Sequence, residues 1–409
     1  HTLSAVVITA LPAVGTLQLN GVNVALNAVI PVADLGALVY RPALNANGNS
    51  YASLGFQVRD SGGTANGGID TSVNANTLTF NVMPINDAPE IGVASLGGDY
   101  TEGLGSNPGA PVFLFDVLSI ATGPFNESAQ KLTQFTLTVS GLQDGANEVL
   151  LLANNVVQLT DGFSVVTSNA NPEINNVAYS VSVSGGVATV TVTPTADSPL
   201  SAFVSLMEGL RYRNNNVNNP THGDRVITLT GLSDNGGTLN SGTDTVTLSH
   251  TSTVTVVAVN DQPVLATGST LAYTENDAAT AINTAITVVD VDSTTLASAT
   301  VAITSGFSST QDVLNFTNAS MGNIAGVYDP ATGVMTLTSA GNTATLAQWQ
   351  AALRAVSYSN SSDSPTTAAR TVSYTVNDGT TNGNTVTSTV NVTAVNDAPV
   401  LAYASLALA

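Results

Sequence analysis

The chain has 409 residues, 43% of them hydrophobic and only 9% charged, with a formal net charge of −20 and no cysteine. That acidity argues against a nucleic-acid partner or insertion at an anionic membrane, and the missing thiols exclude disulfides and cysteine metal sites. What remains is a chain able to bury several cores, with room for about two to four domains, and one that attracts cations.

Read in order, the elements are almost all strands. "LQLNGVNVAL" (17–26) sets Asn20-Gly21 between two alternating runs, which predicts a type I′ hairpin. "LVYRPALNANG" (38–48), "GFQVRDSGG" (55–63) and "NTLTFNVMP" (76–84) follow, and then "PINDAPE" (84–90). The series recurs as "LRYRNNNVNNPTHG" (210–223), "TLTGLSDNGG" (228–237), "TVTLSHTSTVTVVAV" (245–259) and "AVNDQPV" (258–264). It recurs again as "SYSNSSDS" (357–364), "VSYTVNDGT" (372–380), "NTVTSTVNVTAV" (384–395) and "AVNDAPV" (394–400). Period-two alternation of small polar and apolar residues is the mark of a half-buried strand, and each Asp plus Gly marks a turn. Gly185-Gly186 in "YSVSVSGGVATVTV" (179–192) predicts another hairpin. Helix is scarce: a short linker or helical turn is expected before each recurrent run, and the best helix candidate is "TLAQWQAALRAV" (345–356), where Leu346, Trp349 and Leu353 share a face, Thr345 caps it, and Trp349 packs in the core. Tyr212 and Tyr358, at one recurrent position with Tyr40, are expected in cores. The Asn-rich run 214–219 is expected to be a solvated loop.

The unit is therefore a β domain, and Asn-Asp-x-Pro is the joint after it. The expected division is 1–88, 89–262 and 263–398. The first unit is expected to be truncated and 399–409 to open a further, missing repeat. The interval from Asp87 to Asp261 exceeds that from Asp261 to Asp397, and the excess is assigned mainly to 144–195.

The joints carry the chemistry. Proline at 89, 263 and 399 cannot donate to a ladder and so ends each strand. Asn-Asp alone reads equally well as a turn. "VVDVDS" (288–293) adds Asp290 and Asp292, two apart in an expected strand and so facing one side. Two carboxylates about 5 Å apart repel by ~3 kcal/mol at an effective dielectric near 20. A hard divalent cation held by oxygen ligands relieves that repulsion, and calcium takes about six to eight such oxygens.

These motifs resemble the cadherin superfamily, and most of all bacterial cadherin-like tandem repeats with "VNDAPV" linkers, found in large RTX-type, type I-secreted surface adhesins. The first unit resembles the chondroitin-sulfate-proteoglycan-type repeat. The resemblance implies an all-β fold of Greek-key β-sandwich domains joined end to end, with Ca2+ at the joints. It implies one site from Glu102, Asn260, Asp261, Asp290, Asp292 and Asp378, and half of another from Glu275, Asn396 and Asp397. At the first joint it implies a weaker site from Asn86, Asp87, Glu127 and Asp234. The second unit lacks Asp-x-Asp, and the Leu-Asp-Arg-Glu motif of animal cadherins is absent.

No nucleophile elbow, zinc-protease motif or phosphate loop occurs, and His1, His222 and His250 are scattered. The chain is therefore expected not to be an enzyme. The expected role is a structural segment of an extracellular adhesin that contacts neighbouring repeats and, through its parent, a host-surface glycan or protein. Two alternatives stay open: a carbohydrate- or protein-binding module in the second unit, and the non-catalytic stalk of a large secreted enzyme.

Overall fold

The computed structural model describes residues 1–103, 105–123, 130–152, 155–168, 176–194 and 199–399. Glu127 and nearly all of the expected strand at 399–409 lie outside them. The described chain is strands throughout, with short 3₁₀ turns and two α-helices, α1 (Leu200–Glu208) and α2 (Leu346–Ala355). No helix among the described residues is long and apolar enough to cross a membrane.

Three separate apolar cores follow one another along the chain. The first gathers Val6, Ile8, Leu17, Ile30 and Leu54. The second runs from Tyr100 to Val256. The third runs from Leu265 to Val392. Each lies between facing sheets, because alternating strands can hide their apolar side only against another sheet.

The main sheets share one strand order. In the first unit the order is Val29–Pro31, Leu3–Ala10, Gly48–Asp60, Asn76–Val82. In the third, Val334–Ser339, Ser298–Ser305, Arg370–Asn377 and Val386–Thr393 repeat it, flanked by Ile324–Asp329 and Thr270–Thr274. In the second, Val187–Pro194, Leu132–Ser140, Gly223–Asp234 and Thr245–Val257 repeat it, flanked by Asn176–Ser184 and Gly98–Thr101. Strands distant in sequence thus lie side by side, the crossed connectivity of a Greek key. The fold is all-β, with β-sandwich repeats in tandem.

The hairpin 176–194 of the second unit matches 324–339 of the third. The second unit's extra strands are therefore Asn155–Gln158 and Ser164–Ser168, a shorter insertion than 144–195.

Local signals explain the turns. Asn20 and Gly21 both take positive φ, as do Gly185 and Gly186, and each pair joins strands in direct register. Thr345 caps α2 through a capping box with Gln348. Trp349 is fully buried and donates its indole N–H to Leu296 O at 3.0 Å. Tyr212 and Tyr358 are fully buried, as expected, whereas Tyr40 is half-buried.

Candidate functional site: the joints between repeats

At the first and second joints the linker asparagine is pinned to the late hairpin of the following unit. Asn86 Nδ2 donates to Asp234 Oδ1 at 3.0 Å and to Thr243 O at 2.7 Å. Asn260 Nδ2 donates to Asp378 Oδ2 at 2.9 Å and to Thr381 Oγ1 at 3.0 Å. The hairpins are shaped for this approach. A Cβ on Gly236 would lie 1.9 Å from Asn86 Oδ1, and one on Gly383 would lie 2.2 Å from Pro263 O. Only glycine fits at either place.

Around the second joint the acidic groups converge. Asp261 donates its backbone N–H to Asp292 Oδ2 at 3.0 Å. Asp290 and Asp292 do not lie in a strand as expected: the strand ends at Val289. Asp290 Oδ1 instead accepts the N–H groups of Asp292 and Ser293, at 3.2 and 2.9 Å, so the pair is brought together by an aspartate turn. Glu102 is buried where Gly98–Thr101 ends. Its Oε1 accepts from Asn219 N at 2.6 Å and its Oε2 from Val259 N at 2.9 Å.

Asp261 and Asp290 feel their acidic neighbours. Burial pushes the Asp261 carboxyl up, and the charges of Glu102 and Asp292 push it further. Burial and the neighbouring Asp292 push Asp290 up to about 6. At Asp378 burial also acts upward, but donors from Asn260, Thr381 and Thr380 outweigh it, and the carboxyl is held below its ordinary value. At the first joint burial raises Asp234.

Several side-chain oxygens here are buried without a hydrogen-bond partner: the carboxylate oxygens Asp261 Oδ2, Asp290 Oδ2 and Asp292 Oδ1, with Asp234 Oδ2 and the amide oxygen Asn86 Oδ1 at the first joint. Burying such atoms unpaired is costly. The unpaired groups are hard oxygens, from aspartate carboxylates and, at the first joint, the Asn86 amide, the ligand type calcium takes. Yet among the described residues no three His, Asp or Glu side chains form a group set to hold a metal ion. The residues fit calcium by chemistry and by their unpaired oxygens, without closing into a carboxylate cage.

The remaining expected positions divide. Glu275 occupies the place of Glu102: its N–H donates to Thr393 O at 3.0 Å, as that of Glu102 does to Val257 O at 2.9 Å. Both of its carboxylate oxygens are buried and unpaired. Asn396 and Asp397 are exposed and not gathered with it, although Asn396 Nδ2 reaches Asp397 O at 3.3 Å, much as Asn260 reaches Asp261 O. Asp87 is exposed.

Two features escaped the sequence. The run 214–219 is a loop only from 215 onward, half-buried at 215–217 and exposed at 218–219. Asn214 is fully buried and Asn219, at φ 93°, docks on Glu102. The second and third units each also bury an ion pair: Arg225 with Glu148 at 2.6 Å and Asp144 at 3.3 Å, and Arg370 with Asp312 at 3.1 Å. The available signal was an arginine near the start of the same strand in both units, at "RVITL" (225–229) and "RTVSY" (370–374).

A tandem β-sandwich array with polar, acid-rich joints is the class this architecture defines. No family model matches the chain. Among characterised proteins it is similar to halomucin of Haloquadratum walsbyi (strain DSM 16790 / HBSQ001), 29% identical over 271 residues, which is 66% of this chain and 3% of that protein. The chain thus spans about 3% of the length of that relative. Solved structures with a similar arrangement include mouse cadherin-23 EC22-24 (11% identity, 95% of this chain and 86% of that one, TM-score 0.27). Another is the protocadherin gammaB7 EC3-6 cis-dimer (11% identity, 96% and 65%, TM-score 0.29).

Proposed function

We propose that the chain is a spacer segment of an extracellular bacterial adhesin, its sandwiches stacked end to end and stiffened by calcium at the joints. Asp261, Asp290 and Asp292 would hold the ion at the second joint, aided by Asn260, Asp378 and Glu102. The ion would supply the positive charge that these carboxylates lack. The carrying observation is the set of buried, unpaired oxygens on those three aspartates. In a calcium-poor cytosol the joints would stay loose, which suits export by type I secretion. Outside the cell they would tighten, each sandwich adding roughly 30–40 Å of reach for strands of about ten residues. The test is small-angle scattering of the chain with calcium and with chelator: the maximum dimension should rise and its spread narrow when calcium is present. Identical profiles would defeat the stiffening role.

A further inference from the structure

The smaller sheet of the second unit runs Val112–Phe113, Arg211–Asn214, Glu148–Leu152, Asn155–Gln158. Side chains alternate across it. Tyr212, Leu150, Leu152 and Val157 enter the core, while Arg211 and Arg213 face outward with Val149 and Leu151, which lie outside that core. The register lays two rows on the outer face. One holds Phe113, Arg211, Leu151 and Val156, and the next holds Arg213, Val149 and Gln158.

These arginines stand apart from the chain's other cations. Lysine and arginine number 8 against 28 aspartates and glutamates. Arg225 and Arg370 are buried in ion pairs, and Arg59 reaches Asp70 at 3.8 Å. Among the described residues, neither the Arg211 nor the Arg213 guanidinium meets an acid or donates a hydrogen bond, and the Nε of each is buried without a partner. Arg211 lies over the Phe113 ring, 5.3 Å from its centroid. Val149 and Leu151 are 0% and 8% exposed although they face outward, whereas Phe113 and Val156, at the ends of their row, are 49% and 45% exposed. Long arginine stems cover such an apolar floor while the charged head stays in water. The fold does not call for the two charges. Around the matching core tyrosine the third unit has Ser357 and Ser359, and the first has Val39 and Arg41. In the third unit Ser359 Oγ accepts from Asn315 Nδ2 at 3.0 Å, so that face satisfies itself.

We propose that this face binds an anionic polysaccharide whose sugars carry carboxylates. Residues two apart on a strand stand about 6.7 Å apart at their Cα atoms, and each guanidinium offers a planar fork that fits a carboxylate. Phe113, Leu151 and Val156 supply an apolar strip for the faces of sugar rings, and the exposed Gln158 amide supplies hydrogen bonds for hydroxyls. The ligand's charges meet two cations that a chain of net charge −20 leaves unpaired. An acidic peptide fits less well, because an extended peptide draws its affinity from main-chain bonds at a sheet edge, and a sheet face offers none. The site lies on one unit and needs no calcium, so it goes beyond the spacer role.

The experiment is fluorescence anisotropy of labelled oligogalacturonate titrated with the whole chain, in chelator and at low salt. The anisotropy should rise to saturation, and added salt should weaken the binding. Neutral dextran and poly-L-glutamate, offered as competitors, should not displace the label as unlabelled oligogalacturonate does. Arg211→Ser with Arg213→Ser, which copies the third unit, should weaken binding about tenfold or more, the loss expected for a charge-assisted hydrogen bond. Gln158→Glu, an isosteric change at an exposed position, keeps both arginines and sets a carboxylate of the chain in the row of Arg213, so it too should weaken binding. The proposal is overturned if the anisotropy stays flat up to millimolar chain, if dextran or poly-L-glutamate displaces the label equally well, or if the folded variants bind like the parent. Because calcium is absent throughout, failure here leaves the stiffening of the joints untouched.

Discussion

Asn260 Nδ2 sits 2.9 Å from Asp378 Oδ2, 118 residues further along the chain, and Asn86 Nδ2 sits 3.0 Å from Asp234 Oδ1 across 148 residues. The same contact thus recurs at two joints. It ties the end of one sandwich to the far hairpin of the next, and so fixes where the following unit begins.

Replacing Asn260 by Asp would set a second carboxylate against Asp378 and remove the donor. Loss of a charge-assisted hydrogen bond costs about 1.5–3 kcal/mol, and the new repulsion adds to it. The expected outcome is a lower melting temperature for the third unit. Calcium should partly restore it in the variant, measured by calorimetry with and without the ion.

Gly383→Ala would drive a methyl group into Pro263 O, and Gly236→Ala would drive one into Asn86 Oδ1. Both should loosen their joints, while alanine at Gly185, whose Cβ would meet nothing within 4 Å, creates no such clash. Limited proteolysis is the check: cleavage near 260–264 should accelerate in Gly383→Ala and not in Gly185→Ala.

Asp290 gives the joint a pH dependence. Its carboxyl is raised in the folded chain, from an ordinary 3.8 to about 6. The folded state therefore binds the proton more tightly than the unfolded state, and stability falls as pH rises through that window. In chelator, denaturation midpoints for the third unit should decline between pH 4 and 6 and then level off. Calcium should flatten the decline, and its affinity should weaken below about pH 6 as the proton competes for Asp290.

Arg370→Leu leaves Asp312 buried and uncompensated, at a cost of about 3–5 kcal/mol. Pairing it with Asp312→Leu should recover only part of that loss: the lone charge leaves the core, but the Tyr358 hydroxyl, Asn360 Nδ2 and Ser308 N–H lose their acceptor. Chemical denaturation of the single and double variants measures the recovery. At Arg225 the double variant with Glu148→Leu should recover less, because Asp144 then stays behind without its arginine.

Much of the architecture was legible because it depends on local pattern. Alternating runs gave the strands, Asn20-Gly21 and Gly185-Gly186 gave their hairpins, and Thr345 with Trp349 gave α2. The repeated Asn-Asp-x-Pro pointed to the joints, where Asn260 donates to Asp378 and the Asp261 N–H to Asp292. What escaped was set by contacts between distant segments. Nothing near Asn219 in sequence reveals that its N–H meets Glu102. The pairing of Arg370 with Asp312 likewise spans strands of opposite sheets. The aspartate turn at 290–293 was misread as a strand because Val-Asp-Val-Asp alternates as a strand does, while the side-chain-to-backbone bonds that bend it leave no periodic trace.

The most direct test of the account is equilibrium dialysis of radioactive calcium against the chain and against the Asp290→Asn, Asp292→Asn double variant. At free calcium 100 times Kd, binding would stabilise the joint by about 2.7 kcal/mol, so the same samples can be checked by melting. The account predicts saturable binding that falls by at least one ion per chain in the variant. Absence of binding at millimolar calcium, or an identical isotherm for both proteins, would contradict it.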